Sequence, residues 1–295
     1  MTLLTSKIQF NNFEVGEFIE EKKRSYDETV EIIEKFPWNK QREKIVIELT
    51  NPSITVEGQN NDYLKFAVFY NGKFVLHYLD NEQVLFTKSF VDINDTYKYL
   101  KNYFIGTFDT SDFKKETTWL QHNLKHFVSQ DFNYTVASHV VKKFLWSTSA
   151  ISFAYSIFFI LFFLFKKGIH MNGIGIFMIL LTMLLVGGGI NLILFFNYYF
   201  YTKDKILIMS KGNDIFYYGS INSPVEYNKN QIIKFTTIRS RSYKSPINGF
   251  ALIKIELKDG TIIKIPNLLV DYFSLEQKLF EYPKVDKGGF PFLKI

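Results

Sequence analysis

The sequence predicts an α+β chain in which two modules flank a two-helix transmembrane hairpin. Three observations lead there. Two long uncharged stretches sit mid-chain, separated by Lys166 and Lys167. Period-two apolar alternation with turn signals marks strands on both sides of them. Short helical patterns with capping residues begin and end the first module. The expected domains are residues 1–143, an α+β domain; 144–200, the hairpin; and 201–295, a small antiparallel sheet or partial barrel with a terminal helix.

In chain order, Ser25 and Glu28 form a capping box ahead of Val30, Ile33 and Phe36 at helical spacing. Pro37 disfavours helix at Phe36 and should end it. Ile45–Ile47 and Ser53–Val56 read as strands. Leu64, Phe66, Val68 and Tyr70 alternate with Lys65 and Ala67. Asn71-Gly72 is a hairpin turn, returning as Phe74–Leu79, and Val84–Phe90 follows. Asp92 or Asn94 caps a helix through Tyr97, Leu100 and Phe104. A further helix is expected over Asp112–Val128.

Residues 144–165 and 168–202 contain no Asp, Glu, Lys or Arg. A spanning helix needs about 20 apolar residues. The spans are expected at about 145–165 and 175–199. Small residues, Ala150 and Ala154 in the first and Gly187, Gly188 and Gly189 in the second, would let the helices approach closely. Lys142, Lys143, Lys203, Lys205 and Lys211 outnumber the two lysines of the turn. The positive-inside bias then puts both termini in the cytoplasm of a bacterial inner membrane. Met1–Glu21 has no basic segment followed by an apolar run, so no secretory signal is read there.

The last module reads as strands at Ile206–Met209, Ile215–Tyr218, Ile232–Ile238, Ala251–Leu257 and Thr261–Ile265. Lys258-Asp259-Gly260 is the turn between the last two. Leu268–Phe280 reads as a helix broken near Asp271. This module holds 15 basic and 9 acidic residues, whereas residues 1–143 hold 18 and 20.

Chemistry is sparse. With no cysteine in 295 residues, disulfides and thiolate metal sites are excluded. No Gly-rich phosphate loop and no nucleophile elbow occurs. His122 and His126 are spaced i, i+4, but Asn123 stands where a zincin needs Glu. No catalytic residue, metal site or cofactor is expected, and the chain is read as a non-enzyme. Glu17, Glu20 and Glu21 form an acidic group that could serve as a docking face. Arg239, Arg241 and Lys244 form a basic loop suited to a lipid head group or an acidic partner. Dispersed charge without a stacking platform argues against nucleic acid.

Two resemblances add to this reading. Phe36-Pro37-Trp38, Asn51-Pro52-Ser53-Ile54-Thr55-Val56 and Asn71-Gly72-Lys73-Phe74 resemble small bacterial immunity proteins over roughly residues 26–128. That resemblance implies a non-enzymatic protein that binds and neutralises a cognate toxin. Tyr198-Tyr199-Phe200-Tyr201, Lys258-Asp259-Gly260 and Ile265-Pro266-Asn267-Leu268-Leu269 resemble bacterial PH-like domains on a two-helix membrane hairpin, over about 145–285. The leading expectation is therefore an inner-membrane-anchored immunity protein. One alternative is a membrane-anchored sensor or scaffold whose PH-like domain binds lipid or a protein. Another is an accessory subunit of a membrane enzyme or transporter. The expected partners are the lipid bilayer and a toxin, with a homodimer as a further candidate.

Overall fold

The computed structural model describes residues 2–42, 49–50, 52–116, 123–136, 141, 154, 157–158, 189–242, 244–245 and 247–293. Its contacts divide into two compact units. One is Met1–Asp131 with Ser210–Gly212; the other is Phe132–Met209 with Asn213–Ile295.

The N-terminal unit is built on a seven-stranded antiparallel sheet in the order β2-β1-β3-β4-β5-β6-β7. The strands are β1 Leu4–Gln9, β2 Ile19–Arg24, β3 Ser53–Glu57, β4 Tyr63–Val68, β5 Phe74–Leu79, β6 Leu85–Phe90 and β7 Lys114–Lys115. Asn71 and Gly72, both at positive φ, turn β4 into β5; that conformation suits Asn and Gly. Helix α1, Tyr26–Lys35, begins at the Ser25/Glu28 capping box. Extended Phe36 ends it before Pro37, and a single turn, α2 Trp38–Gln41, follows. Helix α3 spans Tyr97–Phe104. One sheet face, carrying Leu4, Ile8, Ile54, Val56, Leu64, Phe66 and Leu76, is buried against Ile33, Trp38, Leu100 and Phe104.

The opposite face is covered as well. Tyr63, Leu79 and Leu85 pack there with Phe127. Lys65 is consequently fully buried. The helix expected over Asp112–Val128 is corrected over its described part. Lys114–Lys115 pairs with β6, and Asn123–His126 is a single 3-10 turn; residues 117–122 and the strand expected at 45–47 lie outside the described residues.

The C-terminal unit contains two four-stranded sheets. One has the order β11-β10-β9-β8, with β8 Asn133–Thr135, β9 Lys205–Ile208, β10 Ile215–Ser220 and β11 Ser223–Asn228. The other has the order β14-β13-β12-β15, with β12 Ile232–Arg239, β13 Ala251–Leu257, β14 Ile262–Pro266 and β15 Lys284–Gly288. Among the described strand pairs only β12–β15 is parallel. Leu207, Phe216, Phe235, Ile255 and Ile263 from the two sheets meet Leu275 and Leu279 in one core. Leu275 comes from helix α5, Tyr272–Lys278, which Asp271 caps by accepting from the Ser274 N–H at 3.1 Å.

The transmembrane hairpin is corrected. Among the described residues no helix is long and apolar enough to cross a membrane. The described part of the expected second span is helix α4, Ile190–Thr202, with 13 residues. One face of α4 is covered by protein: Leu194, Phe195 and Tyr198 are buried with Phe250, Leu252 and Leu293. The Tyr198 hydroxyl donates to the Pro291 carbonyl at 2.6 Å, and Asn197 binds Leu293 through both amide atoms. An apolar run here supplies a core stripe. The inner-membrane location rested on the hairpin and is withdrawn with it. Ala150, Gly187 and Gly188 lie outside the described residues. Ala154 is exposed, and Gly189, directly before Ile190, has helical backbone angles.

Candidate functional site

The candidate site lies in the C-terminal unit, where β12 ends in a basic loop. β12 is an interior strand, so its last side chain, Arg239, is delivered to a fixed place. The Arg239 guanidinium donates to the Tyr272 hydroxyl at 2.9 Å and lies 5.3 Å from that ring's centre. Tyr272 opens α5 and packs its ring on Phe273 at 4.0 Å. The Gly289 N–H donates to the Arg239 carbonyl at 3.2 Å, closing β15 against the same strand end.

Arg241 follows two residues later. Its aliphatic stem runs over Gly288; a Cβ at that glycine would lie 2.5 Å from Arg241 Nε and 2.7 Å from Cδ. Glycine thus makes the seat on which the guanidinium is held. Lys244 is exposed in the following turn, where its N–H reaches Ser242 Oγ at 3.3 Å. Among the described residues no carboxylate lies within 4 Å of Arg239, Arg241 or Lys244. Lys287, on β15, is exposed one residue before Gly288. Phe273, Phe290 and Phe292 are also exposed, Phe290 and Phe292 stacking at 6.1 Å. The sequence thus located three of the cations. It missed the aromatics and the Arg241 seat, because β15 is a charged edge strand with no alternating apolar signal.

The acidic trio separates. Glu17 is buried; its carboxylate accepts the Glu14 N–H at 2.9 Å and the Gly212 N–H at 2.9 Å. Glu20, at positive φ, pairs with Arg24 at 3.1 Å. Glu21 lies 3.8 Å from Lys7 and accepts a hydrogen bond from Ser129. Only Glu20 and Glu21 remain on the surface.

A second group of polar residues went unread in the sequence. Strand register aligns Lys7, Thr55, Lys65, His77 and Thr87 in one row across the covered face of the N-terminal sheet. Lys65 Nζ donates to Gln9 Oε1 at 3.0 Å and to the His126 carbonyl at 2.9 Å. Burial, with Lys7 nearby, lowers Lys65 to about 7; burial, with Lys65 nearby, lowers His77 to about 3. Thr55 Oγ1 and His77 Nδ1 have no partner among the described residues. His126 Nδ1 lies 2.6 Å from Thr50 Oγ1, while His122 is outside the described residues. No cluster of three or more His, Asp or Glu able to hold a metal occurs among the described residues.

Comparison with known proteins gives a match within the C-terminal unit. The family described as a PH domain matches residues 133–278, a range that runs from β8 to the end of α5. No curated protein and no solved structure matches the chain. Residues 133–278 are thus similar to a PH domain, and a lipid- or protein-binding module is the function class such a match supports.

Proposed function

We propose that the chain is a non-enzymatic binding protein whose PH-like domain docks on anionic lipid through Arg239, Arg241 and Lys244. The observation that carries this reading is the joint placement at the β12–β15 end of exposed phenylalanines and of guanidinium groups that have no carboxylate partner among the described residues. Cations alone would suit any acidic partner. Exposed Phe273, Phe290 and Phe292 add apolar rings that can enter the head-group region. A basic residue near an anionic surface contributes about 1 kcal/mol. Three of them give roughly 3 kcal/mol, or about a hundredfold in affinity. The toxin-neutralising reading of the N-terminal unit has no comparable support and is not part of the proposal.

Vesicle co-sedimentation tests it. Phosphatidylcholine vesicles with phosphatidylglycerol should retain the protein, and pure phosphatidylcholine vesicles should not. Arg241→Ala with Lys244→Ala should weaken retention about tenfold or more while the fold persists, because neither side chain is buried. Equal retention on both vesicle types would overturn the lipid assignment.

A further inference from the structure

The N-terminal unit contains a pocket of about 330 Å³ between the β3–β4 turn and the C-terminus of α3. We propose that this pocket binds a small alkylammonium ion, with Asp62 as counter-charge and Tyr78, Tyr103 and Phe108 as its aromatic walls.

The argument begins at Gly58. A Cβ there would lie 2.2 Å from Asp62 Oδ1 and 2.5 Å from the Tyr103 hydroxyl. The missing side chain lets the carboxylate and the phenol close over the backbone. The turn is fixed by the Gly58 N–H donating to the Asp62 carbonyl at 2.9 Å, and by Tyr103 donating to that carbonyl at 3.0 Å. Both tyrosine hydroxyls also interact with the Asp62 carboxylate. Burial first, and then Asp62, pushes Tyr78 to about 12 and Tyr103 up as well. Both phenols therefore stay neutral.

The charge of the site is negative. Among the described residues no Lys, Arg or His pairs with Asp62, and none lines the pocket. Ile105 and Gly106 bring the C-terminal end of α3 to the wall, and a helix carries partial negative charge there. Aromatic faces reinforce this. Tyr78 and Phe108 lie 4.6 Å apart at 39°, and Tyr103 meets Phe108 at 5.7 Å and 84°. The three rings form a corner, not a flat stack. Aromatic faces attract organic cations, and a carboxylate adds the counter-charge.

Size and ligand number separate an organic cation from a metal ion. Hard divalent cations need six or more oxygen ligands held close. Here one carboxylate faces a volume at the lower end of small-molecule pockets. An alkylammonium head satisfies the one charge and fills the space against the rings.

Calorimetric titration of the full chain with choline chloride tests the proposal. Its uncharged comparison is neohexyl alcohol, the isostere with tert-butyl in place of trimethylammonium. Choline should bind at least about tenfold more tightly than the alcohol. Asp62→Asn and Phe108→Leu should each remove most of that preference. The two-probe comparison on the unaltered protein stands even if a variant folds poorly. Equal binding of both probes, or no choline binding up to about 20 mM, would overturn it.

Discussion

Replacing Lys65 with methionine should flatten the pH dependence of stability above neutrality. Lys65 is fully buried on the covered sheet face, and its neighbours in register are Thr55 and His77. Among the described residues no carboxylate pairs with it. Burial, with Lys7 nearby, lowers its folded pKa from 10.5 to about 7. At about 1.4 kcal/mol per pH unit, the gap corresponds to roughly 5 kcal/mol. Because the folded pKa lies below the unfolded one, the unfolded chain binds the extra proton between pH 7 and 10.5. Stability is therefore greatest above the unfolded pKa and falls as pH drops through about 7. Between pH 9 and pH 7 the loss from this residue is roughly 2 kcal/mol.

The variant also leaves Gln9 Oε1 and the His126 carbonyl without the lysine donor. An unpaired buried acceptor costs about 1–3 kcal/mol. That loss is nearly independent of pH, so the slope and not the absolute stability is diagnostic. Urea unfolding at pH 7, 8, 9 and 10, followed by circular dichroism and tryptophan fluorescence, measures it. Trp38, buried in the core of the same unit, is one of the reporters. The native chain should gain stability from pH 7 to 9 relative to Lys65→Met. Parallel curves would refute the reasoning, since they would mean that Lys65 keeps its proton when folded.

Three further outcomes follow from particular contacts. Ser25→Ala removes the side-chain half of the α1 capping box and should destabilise the N-terminal unit by about 1 kcal/mol in thermal melts. Glu17→Ala strips the buried acceptor from the Glu14 and Gly212 N–H groups; roughly 2 kcal/mol should be lost, with faster amide exchange at Gly212. Tyr198→Phe deprives the Pro291 carbonyl of its donor. About 1 kcal/mol of stability should be lost, and limited proteolysis should then cut faster near residues 289–293.

The fold was legible where local chemistry and tertiary context agree. The Asn71-Gly72 turn and its two strands stand where period and turn residues put them. The α1 start and stop follow from Ser25, Glu28 and Pro37. The edge strand β14 was read, whereas the interior strand β1 and several edge strands escaped. β2 reads Ile-Glu-Glu-Lys-Lys-Arg and is exposed except at Arg24; nothing in its composition marks a strand. β11 and β15, also edge strands, escaped for the same reason. The uncharged run ending at Thr202 misled in the other direction. Apolarity measures the need for cover, and in α4 the cover on one face is Phe250, Leu252 and Leu293. Composition does not distinguish that protein surface from lipid.

The two candidate sites differ in legibility for a geometric reason. Arg239 and Arg241 are two residues apart at one strand end, so their proximity was visible in the chain itself. Their supports, Tyr272 and Gly288, come from elements that pair with or pack beside β12 only after folding. The alkylammonium pocket has no such local component. Gly58 and Asp62 belong to a turn, Tyr78 to a strand, and Tyr103 and Phe108 to the end of a helix and beyond it. Tyr78 alternates as an ordinary inward side chain, and Asp62 reads as an ordinary turn residue. Lys65 shows the same limit, because period-two alternation assigns a side chain to a face without saying whether that face is open. Once Phe127 covers the second face, Lys65 becomes a buried base. Chemistry in this chain therefore arises where turns and second layers close over a sheet whose strands were individually readable.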